Sequence, residues 1–428
     1  MAMSAAPGVR ERLGRHLGDW RRPVYRDGMA LIMSSAISSL VGLLYWVLAA
    51  RLFPPAVVGV GSALVSTLML LGTAGQLNLG VALLRFVPVA GGSARRLVAA
   101  CYVVGAVAAA VVGTVFAVGA GRWAPELLSA VGPGRLVGFL AIAAPVWALF
   151  VMQDYVLTAV RRAVLVPVAN LAFALVKVGL LVACMALTAA NGIAVSWVAA
   201  TALLVAGVTL MLPRLLATYV RSAPAGEVVT AGDIARFVRA DYAGDLCWTA
   251  MVYGLPVLVL THLGAEAAAT FGITWTIAYA LYLVPHGMGQ SMVAHLAAEP
   301  AGLNAAWRGM VTRALALLVP AVAVLALVAH PLLTVFGPHY AATGAAVLVL
   351  SAASALPDVV VRATVSAARV RRRQRVLVGL PAAVALGILV GSWLLMPHLG
   401  LAGVGVALLG AQSLAAAGVL LARGRRSD

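Results

Sequence analysis

Residues 97–120, LVAACYVVGAVAAAVVGTVFAVGA, form an uninterrupted apolar run without a charged side chain. As an α-helix this run is about 36 Å long, enough to cross the roughly 30 Å hydrocarbon core of a bilayer. Similar runs, separated by Arg, Pro and Gly, fill most of the chain. The predicted spans lie near 28–50, 57–88, 97–120, 136–159, 163–187, 192–216, 241–262, 267–296, 312–336, 340–368, 376–396 and 400–422. The sequence therefore predicts an all-α membrane protein with about 12 transmembrane helices.

The composition of the 428 residues agrees with this fold class. Hydrophobic residues make up 63% of the chain and charged residues 10%, with a mean hydropathy of +1.03. A soluble domain carries about 25% charged residues, so a soluble fold is excluded. Cys101, Cys184 and Cys247 all lie inside apolar runs, which indicates neither a disulfide framework nor a metal site. We expect no metal and no cofactor.

The net charge of +17 comes from arginines that cluster between the apolar runs, which favours a role in membrane topology over nucleic-acid binding. Assigning these arginines to alternate sides of the membrane puts about 25 on the side of the two tails. The opposite side holds only Arg51, Arg122 and Arg135. The positive-inside rule then predicts cytoplasmic tails in a multi-pass plasma (inner) membrane protein.

The spans divide into two blocks of six. We predict a cytoplasmic tail over 1–27, an N-lobe over 28–216 and a C-lobe over 241–422, with a second cytoplasmic tail over 423–428. The linker 217–240 contains an amphipathic stretch suited to an interfacial helix. The blocks resemble each other at an offset near 211, which aligns Gly61 with Gly272 and predicts two pseudo-symmetric lobes.

Catalytic signatures are missing from the sequence. It has no nucleophile elbow, no phosphate-binding loop that ends in Lys-Ser or Lys-Thr, and no His-Glu-x-x-His motif. A carrier is favoured over an enzyme.

Helix-weakening residues interrupt the second span of each lobe. In the N-lobe the interruption is Gly72–Gly80, which includes Gln76 and Asn78. In the C-lobe it is Pro285–Ser291, which includes His286 and Gln290. Freed backbone groups and amide side chains need partners that lipid cannot supply, so matching interruptions indicate a transport pathway. Close packing or a simple kink is the alternative, and both interpretations stay open.

Ionisable residues inside spans are the second indication of a pathway, because each costs about 2.5 to 3.5 kcal/mol at the centre of a membrane helix. Lys177 falls near the midplane, and Asp154 lies nearer the cytoplasmic boundary. Asp358 and Arg362 are four residues apart and can pair along one helix face. Arg85, near the cytoplasmic end of its span, could bind an anionic head group or simply reach the interface.

Two motifs in the N-terminal third carry a family resemblance. Ala50-Arg51-Leu52-Phe53-Pro54-Pro55, followed by Gly59, and then the segment Leu79–Phe86, resemble the opening of the polysaccharide biosynthesis flippases. These proteins belong to the multidrug/oligosaccharidyl-lipid/polysaccharide (MOP) exporter superfamily. The Arg161-Arg162 turn and the two-lobe layout also fit. Ala56-Val57-Val58 departs from the family, which often has an acidic or aromatic residue just before the glycine equivalent to Gly59.

The resemblance implies translocation of a polyprenyl-diphosphate-linked oligosaccharide from the inner to the outer leaflet, as in O-antigen export for lipopolysaccharide. In that hypothesis Arg85 and Lys177 neutralise the diphosphate, while Gln76, Asn78 and Gln290 bind sugar hydroxyls. His286 is a secondary candidate for substrate binding. The candidates for coupling or gating are Asp154, Asp358 and Arg362.

Two alternatives remain at this stage. A cation-coupled multidrug antiporter of the same superfamily needs an acidic residue deep in the N-lobe, where Asp154 is the only candidate. A glycan polymerase or ligase needs a sizeable outer loop, which the sequence lacks. The expected partners are the lipid-linked oligosaccharide, membrane lipids, and glycosyltransferases or a polymerase of the same pathway. We expect a monomer that binds no nucleic acid.

Overall fold

The computed structural model describes residues 40–186, 191–222, 229–296, 302–371 and 373–424. The predicted tail 1–27, the start of the first span and the last four residues lie outside the described residues. All regular elements in the described part are helical, and they are numbered in chain order. They are α1 (Leu40–Leu52), α2 (Pro55–Gly75), α3 (Leu79–Phe86), α4 (Ala94–Trp123), α5 (Pro125–Val131), α6 (Pro133–Ala159), α7 (Leu165–Ala186), α8 (Gly192–Ser222), α9 (Ala231–Leu296), α10 (Leu303–Thr334), α11 (Pro338–Ala353), α12 (Ala355–Val370), α13 (Gln374–Leu399) and α14 (Leu401–Gly424).

Ten segments of the described chain are long and apolar enough to cross a membrane. One of them, Tyr242–Val293, has 52 residues and would measure about 78 Å as a straight helix, so it holds two spans. Gly264 divides it, with φ 81° and ψ 179°, a conformation that glycine adopts readily. The shorter α1 is the described part of the predicted first span. The predicted fold class is confirmed.

The second and tenth predicted spans are each built from two helices. α2 and α3 share the second span, with a break between Gly75 and Leu79, and α11 and α12 share the tenth. Several other spans contain prolines without losing the helix, as at Pro145 in α6 and Pro320 in α10. Proline alone therefore does not decide where these helices end.

The two lobes meet where α2 packs against α9, on both sides of Gly264. A Cβ atom at Gly59 would lie 1.7 Å from the carbonyl oxygen of Ala265, and one at Gly272 would lie 2.2 Å from Ser62 Oγ. Glycine lets the two backbones approach closely, as is common in membrane helix pairs. The contact joins the two helices that the 211-residue offset aligns.

α9 begins outside the membrane-spanning part of the bundle. Thr230 and Asp233 form a reciprocal cap: the Thr230 hydroxyl donates to Asp233 Oδ2 at 2.6 Å, and the Asp233 amide donates to Thr230 Oγ1 at 3.3 Å. Hydrogen bonds from the Thr230 hydroxyl and amide hold the pKa of Asp233 below its ordinary value. From Ala231 to Gly264 the helix is about 50 Å long, so roughly 20 Å of it extends beyond a 30 Å core.

Candidate functional site: the inter-lobe contact and its ionisable residues

The break in the second span is produced by two residues in the left-handed conformation. Leu77 has φ 53° and Asn78 has φ 57°. Asn is among the non-glycine residues that tolerate this region. The buried Gln76 side chain closes the break, because its Oε1 accepts a hydrogen bond from Gly80 N at 3.1 Å. The predicted interruption in the N-lobe is therefore present.

The interruption predicted for the C-lobe is wrong. Residues Pro285–Ser291 lie inside α9, whose only non-helical residue is Gly264. The segment fits against α12 instead: a Cβ at Gly289 would lie 2.4 Å from Ser366 Oγ. The glycine here serves close packing, the alternative interpretation of the sequence.

Asn78 joins the two lobes through a carboxylate that the sequence analysis missed. Asn78 Nδ2 donates to Asp245 Oδ2 at 3.2 Å, and Arg369 Nη2 lies 3.5 Å from Asp245 Oδ1. Nearby, the Tyr242 hydroxyl donates to the carbonyl of Ala74 at 2.7 Å. We call the Asn78, Asp245 and Arg369 group the Asp245 lock. The rule that singled out Asp154 and Asp358 could have found Asp245, since it is a carboxylate within the predicted seventh span.

The opposite end of the bundle is closed as well. Gly59 and Ser62 of α2 contact Ala265 and Gly272 there, and the exposed Arg51 reaches across to the C-lobe. Its Nε and Nη2 atoms donate to the carbonyls of Val335 and Thr334, each at 2.9 Å. We call this the Arg51 end, and the end with the Asp245 lock the Arg85 end. The two lobes thus contact each other near both ends of α2.

The pair predicted between Asp358 and Arg362 is present in the C-lobe interior. Asp358 is fully buried, its Oδ2 lies 3.5 Å from Arg362 Nε, and its Oδ1 accepts a hydrogen bond from Gln412 Nε2 at 3.1 Å. The Arg362 guanidinium lies 3.3 Å from the centre of the Trp248 ring. Within the described residues, Arg362 Nη2 and Gln412 Oε1 have no hydrogen-bond partner. The pair is therefore not fully satisfied by the cluster around it.

His286 and Gln290 are exposed residues of α9, and His286 lies within electrostatic reach of Arg362 and Arg369. The structure thus brings together one predicted substrate residue, His286, and two predicted coupling residues, Asp358 and Arg362, in the C-lobe. Arg369 connects this group to the Asp245 lock.

Lys177 is enclosed in the N-lobe by aromatic rings. Its side chain is only 4% exposed, and its Nζ lies 3.8 Å from the ring centre of Trp197, 4.6 Å from that of Tyr45 and 4.8 Å from that of Phe173. No carboxylate among the described residues pairs with it. Asp154, the acid predicted in the same lobe, lies beside Asn170 instead. We call the three rings the aromatic cage.

Arg85 is exposed at the far end of the bundle, in the last turn of α3. Its guanidinium lies 5.1 Å from the ring centre of Phe237 and 5.6 Å from that of Phe86. Lys177 is 12 residues from the start of α7, or about 18 Å along the bundle from this end. The structure therefore does not bring Arg85 and Lys177 together.

Comparison with solved structures shows the fold. The lipid II flippase MurJ in an inward closed conformation aligns with a TM-score of 0.67 over 92% of this chain and 87% of that chain, at 11% identity. The MATE multidrug transporter DinF-BH aligns with a TM-score of 0.66 over 95% and 96%, at 16% identity. This chain has the fold of MOP-superfamily transporters.

A third neighbour is a MOP-superfamily transporter from Pyrococcus furiosus, described as having a binding pocket of reverse polarity that suggests a different function. It aligns with a TM-score of 0.63 over 93% of this chain and 94% of that one, at 15% identity. Neither a protein-family profile nor a curated protein matches the sequence. Since every identity is low, these comparisons support the fold rather than a substrate.

Proposed function

We propose that this chain is a flippase that moves a polyprenyl-diphosphate-linked oligosaccharide from the inner to the outer leaflet by alternating access of its two lobes. The observation that carries the proposal is that Lys177 is buried without a carboxylate partner among the described residues. A buried ammonium without a carboxylate partner acts over a long distance in a low-dielectric interior. It attracts a diphosphate and repels a cationic drug.

The two lobes supply complementary parts of the proposed site. The Arg362 guanidinium has a buried donor, Nη2, without a hydrogen-bond partner in the described C-lobe, and it is proposed to bind a phosphate oxygen. Gln76, Asn78 and Gln290 are proposed to bind sugar hydroxyls. Asn78 donates one amide hydrogen to Asp245 in this structure, and opening of the Asp245 lock would free that donor. The contribution of Arg85 to diphosphate neutralisation stays a prediction, since it lies far from Lys177.

The proposed orientation has both tails in the cytoplasm of the inner membrane, since the arginines concentrate at the Arg85 end of the bundle. Substrate would then be loaded at the Arg85 end and released at the Arg51 end. Glycosyltransferases or a polymerase of the same polysaccharide pathway are proposed to act before and after this step. The chain is proposed to act as a monomer.

A second candidate is a cation-coupled multidrug antiporter. MATE transporters are among the structural neighbours, which favours it. Asp358 is a fully buried acid, but it lies in the C-lobe rather than in the N-lobe, where such antiporters need one. The ion pair with Arg362 weakens this case by partly neutralising the acid.

Reconstituted liposomes separate the two candidates. We expect the wild-type chain to translocate fluorescent lipid-linked oligosaccharides from a panel of glycans and to leave a cationic rhodamine dye untransported. Lys177→Met should lower the flipping rate at least tenfold, whereas Lys177→Arg, which keeps the charge, should retain more activity. Dye transport without lipid flipping would establish the antiporter instead. Equal flipping by wild type and Lys177→Met would remove Lys177 from the proposal.

A further inference from the structure

Two grooves flank the first turns of α9 at the Arg85 end. One has a volume of about 440 Å³ and lies between α3 and α9, where Arg85, Phe86 and Val89 face Asp233, Arg236 and Phe237. The other, of about 600 Å³, is lined by Arg236, Arg239 and Gln374 on the side of the C-lobe. Arg236 is common to both. Apart from Arg85, the proposed flippase function uses no residue that lines either groove.

The grooves lie at the level of lipid head groups. α9 extends roughly 20 Å beyond the hydrocarbon core, so the turns around residues 231–239 stand at the membrane surface. Ile234 and Val238 pack on the N-lobe, whereas Arg236 and Arg239 are exposed. The Arg236 side chain is 83% exposed. These arginines thus face the zone that phosphates of the adjacent leaflet occupy.

The walls of the first groove suit an amphiphile. Phe86 and Phe237 pack edge to face, with ring centres 5.6 Å apart, and Arg85 lies over both rings. The exposed Val89 extends this apolar wall. The one acidic residue in the lining, Asp233, is occupied by its cap with Thr230 and lies 3.7 Å from Arg236. A positive charge therefore remains beside an apolar surface.

We propose that these grooves bind a resident anionic phospholipid. Its phosphate contacts Arg85, Arg236 and Arg239, and its glycerol and upper acyl chain lie along Phe86, Val89 and Phe237. Planar guanidinium groups bind phosphate oxygens in a bidentate way, and the aromatic rings suit the region between head group and chain. The lipid joins α3 of the N-lobe to the segment that leads into the C-lobe. If this proposal is correct, Arg85 binds the phosphate of a resident lipid rather than the transported diphosphate.

Native mass spectrometry of the purified full chain tests the site. The chain is incubated in detergent with phosphatidylglycerol or phosphatidylcholine, and retained lipid is counted. We expect selective retention of phosphatidylglycerol, and a loss of affinity of about fivefold for each arginine removed, or roughly a hundredfold for R85Q/R236Q/R239Q. The matched control, R95Q/R96Q/R308Q, removes the same charge from exposed positions at the same end and should retain the lipid.

Two competitors distinguish the sources of phosphate. Inorganic phosphate should leave bound phosphatidylglycerol in place, because it lacks the apolar part. Geranylgeranyl diphosphate should displace it no better than phosphatidylglycerol itself. Displacement by inorganic phosphate, or much stronger displacement by the diphosphate, would overturn the assignment to a resident lipid. Equal retention by the groove variant and wild type, or equal loss in the control, would also overturn it. Lipid retention is measured without transport, so this result is independent of the proposed flippase activity.

Discussion

At the scale of single residues, the aromatic cage explains how Lys177 can stay buried in a membrane helix. An ammonium near the helix centre costs about 2.5 to 3.5 kcal/mol on insertion scales. Each aromatic face within about 6 Å contributes about 0.5 to 2 kcal/mol to holding a cation. Three rings lie within 5 Å of Lys177 Nζ, so their combined attraction is comparable to the insertion cost. The aromatic cage can therefore stabilise the buried ammonium of Lys177 without a carboxylate partner.

This balance predicts that Lys177 and Trp197 are energetically coupled. We expect Lys177→Met to leave the free energy of unfolding within about 1 kcal/mol of wild type or to raise it, because an apolar side chain of similar shape replaces a buried charge. Trp197→Leu should cost about 3 kcal/mol in the wild-type background. Its cost should be smaller when Lys177 is already Met, because no ammonium is then left uncovered.

Thermal unfolding of the two single variants and the double variant in one detergent measures this coupling. A dye or light-scattering readout is preferable, since Trp197→Leu changes the intrinsic fluorescence. Strictly additive effects would show that the rings do not stabilise the ammonium.

The place of Lys177 inside a span could be predicted from the sequence, but most of its aromatic cage could not. Position within the span follows from counting residues along one helix. Phe173 lies four residues before Lys177 on α7, so helical spacing could have found this contact, but Tyr45 comes from α1 and Trp197 from α8. The contacts between separate helices depend on how the helices pack, and the sequence pattern of a single helix does not specify them. For the same reason Asp245 could be noticed as an acid within a predicted span, but its contact with Asn78 could not be predicted.

At the scale of helices, the two second spans show why one interruption was predicted correctly and the other was not. In the N-lobe the break has its own local support, because Asn78 tolerates the left-handed region and Gln76 caps the broken helix. In the C-lobe, Pro285 and Gly289 lack such support, and close packing on α12 keeps the helix continuous. Helix-weakening residues indicate a break only when neighbouring side chains can satisfy the freed backbone groups.

The glycines between α2 and α9 predict a specific effect on closure at the Arg51 end. A Cβ at Gly59 would lie 1.7 Å from a backbone oxygen, which cannot move aside as a side chain can. We expect Gly59→Ala to destabilise this closed contact by about 1 to 3 kcal/mol, a shift of fivefold or more toward opening. Gly272→Ala should act more weakly, because it meets the rotatable hydroxyl of Ser62.

Electron paramagnetic resonance distances between spin labels at the exposed positions Ala56 and His262 measure this opening. The matched control is Gly254→Ala, also in α9, where a Cβ would meet nothing within 4 Å. The same short distance in Gly59→Ala and wild type would show that this contact does not hold the end closed.

At the scale of the whole molecule, the lobes contact each other at both ends, so the proposed transport requires each end to open in turn. The Arg51 end is held by backbone contact between helices and by two hydrogen bonds from Arg51. The Arg85 end is held by the Asp245 lock and by the Tyr242 hydrogen bond. Polar side chains separate more readily than interlocked glycine backbones, because water can replace their hydrogen bonds. The Arg85 end should therefore open first.

We predict that removing Asp245 opens the Arg85 end. Asp245→Asn keeps a side-chain oxygen that can accept the hydrogen bond from Asn78, but it removes the negative charge that pairs with Arg369. That ion pair is partly exposed, so the change should cost no more than about 1 kcal/mol. Asp245→Ala also loses the hydrogen bond, for about 1 kcal/mol more, and should shift the population roughly tenfold or more toward the open state. Asp233→Asn, which changes a carboxylate at the same end without a contact to the other lobe, is the matched control.

Spin labels at Ala163 in the N-lobe and Arg375 in the C-lobe, both exposed, report on this end. Their distance should lengthen from wild type to Asp245→Asn to Asp245→Ala, while the Ala56 to His262 distance stays short. A carrier must not open both ends together, so lengthening of both distances would mean that Asp245 holds the lobes together in general. An unchanged Ala163 to Arg375 distance would assign closure of this end to Tyr242 and its neighbours. Loss of the Asp245 contact would then not open this end, which would contradict the proposed release of Asn78 for sugar binding.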